Sequence, residues 1–170
     1  LTRGGLVWYG GFFGGFLALL IYTRAARIDL WQVLDLVAPY IALAQAFGRI
    51  GCFLNGCCYG APAGDGYPFG VVFPGDVIAR HPAQLYEAAA LFALFLALRL
   101  TRIRRHVTGV TFLSYCMAYA FIRFMIEFVR GDNPHILLGL TISQCISIAI
   151  LFAAGSFYIV KVVAWKRNVS

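Results

Sequence analysis

Two stretches of this chain hold side chains able to grip an anion. GRIGCFLNGCCYG (48–60) sets Arg49 and Asn55 among glycines, and RFMIEFVR (123–130) sets Arg123, Glu127 and Arg130 at intervals of four and three. Residues four apart on a helix share a face, and a seventh-residue step returns to it. Arg123, Glu127 and Arg130 are therefore expected side by side. One carboxylate cannot neutralise two guanidiniums, so a surplus of positive charge is expected with Arg49. Arginine recognises phosphate bidentately, which makes a phosphate group the expected partner. A helix-end salt bridge is the alternative for Arg123 and Glu127. Gly56 and Gly60 are placed as ligand contacts, because glycine lets main-chain N–H groups come close to a ligand. A glycine-lined helix-packing face is the alternative there.

The same stretch carries Cys52, Cys57 and Cys58. Zinc and iron–sulfur sites favour paired C-x₂-C or cysteine with histidine, and C-x₄-C-C fits neither spacing. No metal is expected on that ground. Packing as small apolar groups and a disulfide both remain open. A third polar group is RHPAQLYE (80–87), where Pro82 suits a helix start. His81 is placed as a proton carrier, or else as an interfacial hydrogen-bond partner. Gln84 and Tyr86 are placed as substrate contacts, and the acid that follows them, Glu87, as a complement to the helix dipole. Tyr9 is a headgroup contact or a belt aromatic. Asp35, inside an apolar run four residues before Pro39, is a functional candidate because intramembrane acids usually are. Capping of backbone freed by the proline is the other reading.

What must hold these residues is a membrane bundle. The chain is 61% hydrophobic and 12% charged, with mean hydropathy +0.80. Soluble domains carry about 25% charged residues. Apolar runs of the length that spans a bilayer recur at about 6–23, 30–48, 83–99, 108–128 and 141–163, with a Gly/Pro-rich polar segment at 49–81. The expected fold is thus an all-α polytopic membrane protein with five helices in one membrane domain. Arg24 and Arg27, then Arg99, Arg102, Arg104 and Arg105, then Lys161, Lys166 and Arg167 follow alternate spans. Cytoplasmic loops hold the excess of Lys and Arg, so these clusters mark the inner side and 49–81 lies outside. The net charge of +7 is mostly accounted for in this way, and no nucleic-acid partner is expected.

Taken together, these motifs resemble the prolipoprotein diacylglyceryl transferases. The resemblance rests on Y-GG-FGG (9–15), Asp35 with Pro39, GRIG-FLNG-YG (48–60), HPAQLYE (81–87), and Tyr119, Arg123, Glu127, Phe128 and Arg130. It implies an enzyme of the bacterial inner membrane with its active face outward. The family's members are seven-span proteins, so about two leading spans would precede this chain. The implied reaction moves a diacylglyceryl group from phosphatidylglycerol to the lipobox cysteine of a prolipoprotein signal peptide, with no cofactor. Arg49 and Arg123 would hold the phosphate, with Arg130 as a third cation. Glu127 would position Arg123 or take a proton, Tyr119 and Asn55 would orient the headgroup, and His81 would assist with the proton. Many members have His in place of Tyr9, Asn in place of Cys52 and Glu in place of Cys57. Tyrosine, ionising near pH ~10, is a poor base at neutrality. A protein that binds phosphatidylglycerol without transferring its diacylglyceryl group is therefore the alternative function.

Overall fold

The computed structural model describes residues 3–64, 66–102, 107–130, 135–137 and 139–169, the side chains of 3–12, 102, 135–137 and 168–169 excepted. Five helices follow one another: α1 (Arg3–Ala25), α2 (Leu30–Leu54), α3 (Ala83–Arg102), α4 (Val110–Ile126) and α5 (Ile142–Val169). A two-stranded antiparallel hairpin, β1 (His135–Leu137) and β2 (Leu140–Thr141), leads into α5. The fold is all-α in character, as composition requires. Among the described residues, Leu30–Leu54, Ala83–Thr101 and Ile142–Arg167 are long and apolar enough to cross a membrane, while Phe13–Ala25 and Val110–Ile126 are shorter apolar helices.

Small residues bring α2 against its neighbours. Ala38, Ala42 and Ala46 recur every fourth position and are buried, a spacing that lets helix backbones approach closely. Leu94 and Leu98 of α3 and Tyr115 of α4 fill the seam around Ala38 and Ala42. α3 and α4 both pack on α2, α4 also packs on α5, and among the described residues α1 contacts α2 alone. Because successive helices reverse direction, the end of α2, the start of α3, the end of α4 and the start of α5 meet at one end of the bundle. Arg49, Glu87, Arg123 and Ser143 all lie at that end.

Two local expectations are corrected. The second apolar run is expected to end at 48 with the polar segment beginning at 49, but α2 runs on through GRIGCFL to Leu54. Helical backbone satisfies its own polar groups, which an opening at Gly48 or Gly51 would leave exposed in an apolar setting. Both glycines have open space where a Cβ would point. The reversal comes afterwards, at Asn55 and at Gly56, whose φ is +66°. Asp35 is the second correction. Its Oδ2 accepts from the Gly109 N–H at 2.6 Å and its Oδ1 from the Phe112 N–H at 2.8 Å. It caps α4, whose first N–H groups have no intrahelical partner, and it does not serve Pro39. Gly109 itself has φ +93°, and a Cβ there would lie 2.8 Å from the Trp31 ring.

Candidate functional site

The end of α2 and the start of α3 are joined by an ion pair. Arg49 Nη2 lies 3.0 Å from Glu87 Oε1, with the Arg49 side chain 23% exposed and Glu87 only 2%. Glu87 was assigned to the helix dipole on sequence grounds; its partner is instead a cation 38 positions earlier in the chain. A second pair stands on α4, where Arg123 Nη2 lies 3.0 Å from Glu127 Oε2. Glu87 and Glu127 are thus each matched by one arginine, so Arg49 adds no unbalanced charge to that expected from Arg123, Glu127 and Arg130. In both pairs the acid is enclosed and the arginine is the more exposed partner, 23% for Arg49 and 17% for Arg123.

Arg49 opens into a cleft of about 440 Å³ lined by Gln45, Gly48, Arg49, Cys52, Glu87 and Tyr119. Tyr119 links the two pairs, since Arg49, Glu87 and Arg123 all act on it electrostatically. Its ring stacks on Tyr115, with centroids 5.9 Å apart, and the Tyr115 hydroxyl donates to Gln45 Oε1 at 2.9 Å. The cleft wall is therefore braced from both α2 and α4.

Arg123 has a second neighbour, donating from Nη2 to Ser143 Oγ at 3.3 Å. Its buried Nη1 has no hydrogen-bond partner among the described residues. Thr141 Oγ1 donates to Glu127 Oε1 at 2.8 Å, and Gln144 closes the turn by accepting from the Thr141 N–H at 3.0 Å. Arg130 follows α4, its N–H donating to the carbonyls of Ile126 and Glu127. Its charge acts on Cys58.

The segment between α2 and α3 lies at the same end of the bundle and lines a separate cleft with Gly56, Cys57, Cys58, Gly60 and Arg80. Gly60 is a crossing point: its N–H donates to the His81 carbonyl at 2.8 Å, and the Ala61 N–H donates to the Val129 carbonyl at 2.8 Å. A Cβ at Gly60 would lie 2.7 Å from Val129 O and 2.9 Å from His81 Cβ, so only glycine fits. The N–H groups of Gly56 and Gly60 are both engaged within the protein, that of Gly56 with the Phe53 carbonyl. Gln84 is buried, and its Nε2 donates to the Cys57 carbonyl at 2.7 Å. His81 stands edge-on to Tyr67, with centroids 4.6 Å apart, and Tyr67 and Tyr86 share a hydrogen bond of 3.1 Å between their hydroxyls. His81 Nδ1 lies 3.5 Å from the Tyr86 hydroxyl. None of His81, Tyr67 and Tyr86 lines the Arg49 cleft. The side chain of Tyr9 and the basic residues Arg104 and Arg105 lie outside the described residues.

Beside the cleft, Asn55 hydrogen-bonds the Cys57 thiol and holds its pKa below the usual range, while burial pushes the Cys58 thiol up. Arg80 pairs with Asp76, which lowers the Asp76 carboxyl, and sits over the Tyr59 ring at 5.1 Å. The structure thus brings Arg49, Tyr119, Arg123 and Glu127 together and places Asn55 and Arg130 at the margin. Sequence reasoning missed Gln45 and Glu87. The available signal was a carboxylate inside the first turns of an apolar helix, which needs a cation.

The family model described as prolipoprotein diacylglyceryl transferase matches residues 1–160. The chain belongs to this family. Among curated relatives, the phosphatidylglycerol–prolipoprotein diacylglyceryl transferase of Clostridium tetani is 39% identical over 149 residues, covering 85% of this chain and 59% of that protein. A second transferase of that name from Clostridium perfringens is 37% identical, covering 91% and 61%. The Enterococcus faecalis protein is 36% identical, covering 98% and 62%. The chain spans about three fifths of the length of these relatives. Family and apolar helices together make it a membrane protein.

Proposed function

We propose that this prolipoprotein diacylglyceryl transferase family chain carries the phosphate-gripping half of an enzyme that moves a diacylglyceryl group from phosphatidylglycerol to a lipobox cysteine. The observation that carries the reading is the pair of Arg–Glu couples at one end of the bundle, each with an acid more enclosed than its arginine, and with Arg49 opening into a cleft. Buried acids fix the arginines without competing at the opening for an anion. The sulfur of the acceptor attacks the glycerol carbon bearing the phosphate, the carbon–oxygen bond breaks, and glycerol phosphate leaves with the electron pair. Arg49 stabilises that leaving group with Arg123 as the second cation, and preorganised donors do this best where water is scarce. The thiol proton departs to a base or to the leaving phosphate, since thiolate is the nucleophile.

Glu127, locked by Arg123 and Thr141, positions Arg123. Tyr119, between the pairs, orients the headgroup, with Asn55 and Arg130 at the margin. His81 with Tyr86 lies at the same end of the bundle as a route for the proton, and Tyr9 completes the headgroup contacts. Gln84, Gly56 and Gly60 support the site by fixing the segment between α2 and α3. The protein sits in the bacterial inner membrane with this end outward, and its partners are phosphatidylglycerol and prolipoprotein signal peptides.

The test supplies the intact protein with phosphatidylglycerol and a lipobox peptide, and measures thioether peptide and glycerol phosphate together. Equal amounts of both products are expected, and none from a peptide with Ser in place of the acceptor Cys. Phosphatidylglycerol retained with neither product formed would defeat the transferase reading in favour of a binding protein.

A further inference from the structure

The three cysteines of 48–60 converge in space although their spacing in sequence matches no metal motif. The Sγ atoms of Cys52, Cys57 and Cys58 all lie within 4.8 Å of one another, and all three thiols are free. The loop is built to bring them together. Cys52 sits on the last turn of α2, and the chain reverses at Asn55 and Gly56. The Cys57 N–H donates to the Cys52 carbonyl at 3.1 Å, and its thiol points to the same carbonyl at 3.6 Å. Cys58 has φ +64°, a left-handed conformation that residues with a Cβ seldom adopt. From α3, the buried Gln84 pins the Cys57 carbonyl. Packing alone gives no reason to hold an exposed non-glycine residue left-handed so that its thiol meets two others.

We propose that Cys52, Cys57 and Cys58 together bind one thiophilic d¹⁰ cation, Zn²⁺ or Cu⁺, as thiolates. Three S–H bonds are exchanged for three metal–sulfur bonds, three protons are released, and no oxidation state changes. Soft thiolate sets select these ions over harder ones. Three protein ligands leave Zn²⁺ a fourth position for water or an incoming group, whereas Cu⁺ is satisfied by three sulfurs. The charge balance favours either ion: Arg49 acts on Cys57 and Arg130 on Cys58, so an anionic thiolate–metal centre has cations on two sides. Cys52 lines the Arg49 cleft, and Cys57 and Cys58 line a separate cleft of about 480 Å³ with Gly60 and Arg80. The cation would sit in the wall between the two. The site is independent of the transferase reading.

The test isolates the intact protein in detergent under nitrogen, measures bound metal, and then titrates the metal-free, reduced protein with Co²⁺ as a reporter for Zn²⁺, and with Cu⁺. About one equivalent of metal and a sulfur-to-cobalt charge-transfer absorption are expected. Ser at position 52, 57 or 58 (Cys52→Ser, Cys57→Ser, Cys58→Ser) should weaken binding more than about tenfold, the loss that even an outer-shell change causes. Cys116→Ser and Cys145→Ser should leave it unchanged. Competition between the two ions then identifies which is preferred, and either supports the site. X-ray absorption of the loaded wild-type protein needs no variant and should show sulfur neighbours at about 2.3 Å. A first shell of nitrogen and oxygen only, or a Cys52–Cys57 or Cys52–Cys58 disulfide with no metal uptake after reduction, would overturn the proposal.

Discussion

The two ends of the bundle each hold ionisable groups on apolar helices, yet they use them differently. At the end where α2 begins, both oxygens of Asp35 are taken by the N–H groups of Gly109 and Phe112. Lys161 there lies over the Trp31 ring at 4.2 Å. These groups hold helices to one another. At the end where α2 finishes, Arg49 and Arg123 are each matched by one acid, Arg49 still lines a cleft, and Arg123 keeps a buried donor without a partner among the described residues. An intramembrane charge marks a site only when its hydrogen-bonding capacity is not already consumed. By that standard Asp35 is scaffold, whereas Arg49 and Arg123 are the residues proposed for the site.

The sharpest break in the comparison comes from removing the grip. Arg49→Ala should lower the transfer rate by about 10²–10³, the cost of one donor to developing charge, and Arg49→Lys should restore little because the planar fork is lost. Product formation under single-turnover conditions reads this directly. Glu87→Gln comes next. It leaves the part-buried Arg49 unmatched and should destabilise the protein by about 2 kcal/mol, less than the 3–5 of a fully enclosed pair. Thermal unfolding in detergent reads it, and phosphatidylglycerol binding should survive.

At the opposite end, Asp35→Ala should cost about 1–2 kcal/mol, as loss of a helix cap does, and leave the affinity for phosphatidylglycerol unchanged. An equal loss of affinity would erase the distinction between the ends. The smallest effect concerns the segment between α2 and α3. In metal-free protein at neutral pH, Cys57 should be alkylated faster than Cys58, because Asn55 lowers the pKa of the first thiol and burial raises that of the second. Asn55→Ala should slow Cys57 alkylation a few-fold, since less of the thiol is then ionised at that pH.

What could be read from sequence follows the range of the interaction. The all-α class came from composition and run length, and the Arg123–Glu127 pair from a four-residue interval on one helix. Arg49–Glu87 joins different helices, and Asp35–Gly109 spans 74 positions, so no periodicity reveals either. The convergence of the cysteines is hidden in another way. Their spacing was judged against motifs of regular loops, while a helix end followed by Gly56 at positive φ folds 52, 57 and 58 onto one point. The continuation of α2 through Gly48 and Gly51 was hidden because glycine is common in turns, whereas backbone satisfaction in an apolar setting decides the matter.

The central claim is that Arg49 and Arg123, on two helices, act on one phosphate. Single-turnover transfer by wild type, Arg49→Ala, Arg123→Ala and the double variant tests it most directly. Residues that act as a unit are strongly non-additive, so the double variant should be barely slower than the slower single variant. Losses that multiply would mean that the two arginines serve separate steps, and an Arg49→Ala protein as fast as wild type would contradict the account outright.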